Sequence, residues 1–422
     1  MLDLQAQVRQ IKSQKDSVEQ KVSQLQDAVV LLTEKRNQDR QVIKDLWALL
    51  AAGTRREEEG TAGSSKPAQR VEDKEGPESL DGRKDTKQDA DALKKLLASP
   101  DGNLDAAVHK LVTAEAIDRT LREHAGQPAY WAAAASLAPD QETALEYLKE
   151  AAQLHPDCPA VLSALVSAQM AAGRIDDSTL AYASELAQLD PTNALGDCYA
   201  AQCQFQRGDI AGALQSLAQA GAKERFSDDR IAMLMARRDY FLDEGLSDPA
   251  ALGLSAFTLP LEHLGMIRQL GDQSIQQAQS LAATGQMDDA LKIAQDVSNV
   301  GRTVSSSGRF LIHDRVGIAL QQAGLTQQRQ IYEAVGDAAQ TLAIDAKLQA
   351  IQERSATIDV MAQSFDSVMA NMTDEDVAAY VDGTILNGEF ATLQSIPEIA
   401  QALQQTQASA PAATGEAKPP EK

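Results

Sequence analysis

Hydrophobic and polar positions change rhythm three times along the chain, and each rhythm predicts a different element. Over the first fifty residues apolar side chains return every three and four positions. With Val8 at heptad position a, that series also takes Met1, Lys15, Val22, Val29, Arg36, Ile43 and Leu50, and position d takes Leu4, Ile11, Val18, Leu25, Leu32, Asp39 and Leu46. Only Lys15, Arg36 and Asp39 interrupt this seam, and no Gly or Pro precedes Gly53. A stripe of period 3.5 stays facing a partner only if helices supercoil, so residues 1–53 are expected to form a coiled coil. Its oligomerisation residues are Leu4, Val8, Ile11, Val18, Val22, Leu25, Val29, Leu32, Ile43 and Leu46. β-Branched residues at a and Leu at d favour a parallel homodimer, while Ile11 and Val18 at d lean toward a trimer. A single long helix folded back on the chain is the other reading.

Periodicity then stops. Residues 54–88 mix both charges with Gly, Ser and Pro and carry only Val71 and Leu80 as sizeable apolar groups. Such a segment cannot bury enough surface to offset its ordering entropy, and as a linker it would span roughly 30 Å. Residues 60–66 (GTAGSSK) are similar to a phosphate loop but lack a Gly before Lys66, a preceding strand and a following apolar helix, so no nucleotide site is expected there.

From residue 89 to 407 the apolar positions follow helical spacing throughout, and the expected fold is an all-α solenoid. "ETALEYLKEAAQLHP" and "STLAYASELAQLDP" end in Pro156 and Pro191, and "GDIAGALQSLAQAG" follows as a third copy. Alanines let paired helices approach, a large residue fills the space between pairs, and proline ends the helix. These segments resemble the second helix of the tetratricopeptide repeat (TPR): Ala144, Leu148, Ala151 and Pro156 match in the first copy, and Ala213, Leu217 and Ala220 in the third. Trp131 sits 13 residues before Ala144 rather than 16, the middle copy carries an extra residue near Ser178, and the third lacks the terminal proline. The resemblance is good over 125–225 and degenerate to 330, where residues 283–301 read as a fourth second helix through Ala290, Ala294 and Val297. Residues 338–372 read as one long helix, with Ile344, Leu348, Ile351, Ile358, Phe365, Met369 and Met372 on its apolar face. It is expected either to cap the solenoid, as the first of the capping helices over 338–400, or to serve as a second oligomerisation helix. Thr373 and Asp376 mark a further helix start, giving a short helix through Val381, and residues 408–422 read as a disordered tail.

In the TPR family the first helix of each pair lines a concave surface. The resemblance therefore implies a partner groove carrying Ser163, Ser167 and Met170 in one copy and Leu195, Cys198, Gln202 and Phe205 in the next. Those residues are neutral and partly apolar, which suits a peptide or helix with apolar anchors and not a clamp for acidic tails.

Composition narrows the function classes. A formal charge of −22 repels phosphate backbones and anionic lipid, so nucleic acid is not an expected partner. No run approaches the roughly 18 to 20 apolar residues of a spanning helix, so no direct membrane insertion is expected. Three cysteines with no CxxC pair, and no signal-peptide pattern in the first 25 residues, fit a reduced, cytoplasmic setting. The order of coiled coil, tether and solenoid also resembles periplasmic cell-envelope adaptors, which would require a signal or anchor absent from this chain. His109, His124, His155, His263 and His313 are dispersed, with no pair at i, i+4, and read as surface or helix-end residues. No nucleophile elbow or dinucleotide loop occurs. No enzyme, cofactor or metal is expected. The expected function is an oligomeric scaffold or adaptor for protein or peptide partners, the alternative a structural subunit of a larger assembly.

Overall fold

The turns between paired helices explain how this sequence makes a stack. The computed structural model describes residues 108–109, 111–369, 372 and 374–409, all within one contact-defined unit. Helices α1 (Ala114–Glu123), α2 (Pro128–Leu137), α3 (Gln141–Leu154), α4 (Pro159–Ala171), α5 (Asp177–Leu189), α6 (Leu195–Gln206) and α7 (Ile210–Gly221) come first. Proline opens α2 and α4, where a missing N–H costs nothing. α4 and α6 both end on a left-handed glycine, Gly173 (φ 68°) and Gly208 (φ 80°). In each, the glycine N–H and the next N–H return to carbonyls of the last turn, the pattern that closes a helix C-terminus. The following helix is capped at once by an aspartate: Asp176 accepts from the Ser178 and Thr179 N–H groups, and Asp209 from Gly212. Turn and cap together fold α4 onto α5 and α6 onto α7.

The second half is α8 (Arg230–Asp243), α9 (Asp248–Phe257), α10 (Glu262–Ala283), α11 (Met287–Ser307), α12 (Leu311–Ala334), α13 (Ala338–Met369), α14 (Asp374–Asn387), α15 (Glu389–Ser395) and α16 (Pro397–Ser409). The pair α10–α11 stacks on α6–α7, and α12–α13 follow. Helices α8 and α9 leave the stack: α8 turns back onto α2 and α1, and α9 packs against α14. No strand occurs among the described residues, and the fold is all-α with solenoid-like packing. Residues 1–53 and 54–88, and with them every predicted oligomerisation residue, lie outside the described residues, as does the tail from 410.

Several expectations meet the structure directly. Of residues 283–301, the stretch from Met287 on falls in α11, with Ala290, Ala294 and Val297 fully buried, while Ala283 ends α10. The long helix is α13, and α15 and α16 pack along it. The helix after it runs to Asn387, past Val381, because Ile385 and Leu386 find partners for their carbonyls in Arg309. The apolar stretch Asp248–Ala283 has the length and hydropathy of a membrane span, yet the loop around Pro260 divides it into α9 and α10 and half of its most apolar window is buried.

Small residues set a close helix–helix contact. Gly301 on α11 faces Gly317 on α12, and a Cβ on either would lie 2.5 Å from the carbonyl oxygen of the other. Gly324 meets the Ala294 carbonyl in the same way. Backbone-to-backbone packing of this kind leaves no room for a methyl group.

Candidate functional site

The inner helices determine whether the predicted groove exists. Ser163, Ser167 and Met170 on α4, and Leu195, Cys198, Gln202 and Phe205 on α6, are all buried, none more than 9% exposed. α10 lies across α6 and touches α4, while α8 covers α2. The surface that would form a concave groove is filled by the chain's own helices, and the expectation of seven partner-accessible residues is corrected. The sequence carries a signal for this. α2 (PAYWAAAASL) and α4 (PAVLSALVSAQMA) hold no charged residue, and α6 (LGDCYAAQCQFQ) holds only Asp197. A helix without a polar face is covered on all sides.

Where the covering helices meet the stack, four polar side chains converge that the sequence showed far apart. Asp229, at φ 53°, takes the left-handed conformation and so turns the chain between Asp228 and the start of α8 at Arg230. Asp228 Oδ2 lies 3.0 Å from Nε2 of both His263, in the first turn of α10, and His313, in the first turn of α12. Arg230 reaches His263 Nδ1 at 3.2 Å, and the Phe310 N–H donates to His313 Nδ1 at 3.1 Å. The His313 contact is a directed hydrogen bond, whereas His263 Nε2 approaches Asp228 off the N–H direction and has no better partner. Phe226 covers both rings, with centroids 6.4 and 5.7 Å away. His263 and His313 lie at helix ends, as one half of the expectation had it, but are 0 and 1% exposed, and the surface half is corrected.

The cluster sets one carboxylate and one guanidinium against two imidazoles. Burial, reinforced by the Arg230 charge and opposed by Asp228, pushes His263 down to about 4. Burial opposes ionisation of Asp228, but the interactions with His263 and His313 outweigh it and hold the carboxyl well below its usual range.

Two histidines and a carboxylate invite comparison with a metal site, and their ligand atoms lie within 4.8 Å of one another. The donor set does not fit one. A histidine that binds metal through Nε2 carries its proton on Nδ1 and donates it to an acceptor. Here both Nδ1 atoms face donors, Arg230 and the Phe310 amide, so both protons sit on Nε2 and face Asp228. The Arg230 cation beside His263 further opposes a second positive charge. The arrangement is a polar clasp joining the start of α8 to α10 and α12. Sequence reasoning missed it because 85 residues separate Asp228 from His313.

Two of the three cysteines are equally enclosed, and Cys158 is half-buried. Cys158, Cys198 and Cys203 are free, and burial pushes the Cys203 thiol up to about 11 and that of Cys198 higher still. Neither supplies a thiolate near neutral pH.

A cavity of about 720 Å³ lies at the C-terminal end, among α13, α14, α15 and α16. Ser364, Ser367, Thr392 and Ser395 bring hydroxyls to it, Asp376 and Glu398 carboxylates, and Val368, Ala379, Tyr380 and Ile396 an apolar wall. Behind the wall, the Tyr380 hydroxyl donates to Glu389 Oε1 (2.5 Å), and Glu389 Oε2 accepts from the Leu311 N–H (2.6 Å). Burial raises the Glu389 carboxyl, against the hydrogen bonds from Tyr380 and Leu311. This pair ties the C-terminal helices to the start of α12. No protein-family model and no curated protein matches this chain.

Proposed function

We propose that the protein is a non-enzymatic scaffold: the heptad segment 1–53 multimerises it, residues 54–88 tether, and each TPR-like helical arm presents a rigid outer surface to protein partners. The observation that carries this reading is the closed interior. The inner helices have no polar face, the buried polar cluster packs as a clasp between helices, and the two inner cysteines are locked as thiols. Such an arm holds shape and leaves recognition to its exterior. Joining several arms through one coil would raise avidity without new contacts. Three unpaired cysteines support a reducing compartment, the cytoplasm.

A filled inner face also favours the second reading, a structural subunit that docks permanently into a larger assembly. Light scattering on the full chain and on a version lacking residues 1–53 separates the two. A dimer or trimer that becomes a monomer on truncation supports the scaffold. Mass that keeps rising with concentration after truncation supports the structural subunit. Monomers in both cases contradict multimerisation by residues 1–53.

A further inference from the structure

Charge is distributed unevenly along the chain. Across residues 355–417 there are nine Asp and Glu residues and no Lys, Arg or His, in a protein that has 39 Lys and Arg elsewhere or at its very end. This stretch builds the second half of α13 and all of α14, α15 and α16, the four helices that surround the 720 Å³ cavity. Helix-start preference accounts for where Asp376 and Glu398 sit, each in the first turn of its helix. It does not account for the absence of every cation from the whole unit.

The unit also accepts cations from outside itself. Arg309 donates to the Ile385 and Leu386 carbonyls at the end of α14, and the Arg354 guanidinium lies 4.8 Å from the centre of the Phe390 ring. Both arginines precede residue 355. The same chemistry lines the cavity: the Asp376 and Glu398 carboxylates, serine and threonine hydroxyls, and the Tyr380 ring. Asp376, Glu398, Ser367 and Ser395 are exposed there.

We propose that this cavity is the docking point of a basic segment of a partner protein, with a Lys or Arg side chain entering beside Glu398. A volume of 720 Å³ holds one long cationic side chain and its neighbours, and the apolar wall takes the methylene stem. The proposal rests on the scaffold reading and gives its partner a chemistry: a positively charged, extended or helical segment with apolar residues beside the charge.

The test uses the full chain and a fluorescein-labelled twelve-residue Lys/Leu peptide, with an equally long Glu/Leu peptide and free arginine amide as comparisons. Net charge alone attracts a polycation, so a remote charge reversal on the exposed face of α5, Glu185→Lys, is measured beside Glu398→Lys. The expected result is saturable binding of the Lys/Leu peptide only, weakened about tenfold or more by Glu398→Lys and less than twofold by Glu185→Lys. Unchanged helicity by circular dichroism confirms that Glu398→Lys is folded. Equal loss from both reversals reduces the attraction to overall charge and overturns the site. Arginine amide competing as strongly, per molecule, as the peptide overturns the partner segment in favour of a small organic cation. Neither outcome alters the light-scattering result, so the two readings fail separately.

Discussion

His313 accepts a hydrogen bond from the Phe310 amide on one ring nitrogen and donates from the other to Asp228, at 3.1 and 3.0 Å. That pairing fixes the tautomer and closes the ring to metal. Thermal unfolding should therefore move by less than about 1 °C on adding Zn²⁺ or EDTA. A rise of several degrees with Zn²⁺ would show that the two histidines can turn their lone pairs inward together. Asp228→Ala should destabilise by about 1–3 kcal/mol, because it leaves the buried His313 Nε2–H without its acceptor.

Acid should loosen the same joint. The folded state holds His263 near 4, below the 6.5 of the free side chain, so the unfolded chain binds the extra proton first. Stability is then complete above pH 6.5 and is lost as the pH falls toward 4, by roughly 3 kcal/mol from this residue. Asp228, also depressed, adds its loss below the ordinary carboxylate range, while Glu389, raised, acts in the opposite sense. Urea midpoints taken at intervals from pH 7 to 4.5 should slope downward in the wild type and flatten in His263→Gln. Parallel slopes would place the proton uptake elsewhere.

Gly301 and Gly317 make a second kind of joint. Alanine at either position puts a methyl group 2.5 Å from the opposite carbonyl oxygen, and the helices must part. Each substitution should cost about 1–3 kcal/mol. Gly265 on α10 has nothing within 4 Å of where its Cβ would be, so Gly265→Ala should stabilise by up to about 1 kcal/mol. Denaturant melts of the three variants test the contrast, and equal effects would mean that α11 and α12 are not in backbone contact.

Gln202 is 1% exposed and neither atom of its side-chain amide has a bonded partner. A residue that reads a ligand would lose binding when replaced. A residue trapped inside by α10 should instead gain, and Gln202→Met is expected to stabilise by about 1–2 kcal/mol. A clear loss of stability would mean that the amide is hydrogen-bonded in solution.

The stacked pairs were legible because turn and cap are local: Gly173 and Gly208 with Asp176 and Asp209 announce a helix end and the next start within a few residues. The alanine and proline spacing that resembles a TPR located α3, α5 and α7. What the resemblance implied about a groove did not transfer. The uncharged sequences of α2 and α4 already pointed to helices covered on both sides, and the family pattern drew the reading toward an open face. The departure of α8 and α9 from the stack was not legible. It depends on long-range contacts such as Arg237 with Ser136 and Tyr130 with Asp239, whose partners are 101 and 109 residues apart. Local propensity carries no record of such pairs.

Amide hydrogen exchange along the full chain tests the filled inner face most directly. If α8 and α10 are permanent parts of the core, the amides around Leu234, Tyr240, Ile267 and Leu270 should be protected as long as those around Tyr199 and Cys203 on α6, and should exchange with them by global unfolding. If α8 and α10 instead exchange orders of magnitude faster than α6, the inner face opens in the native state. The seven groove residues would then be available to a partner after all.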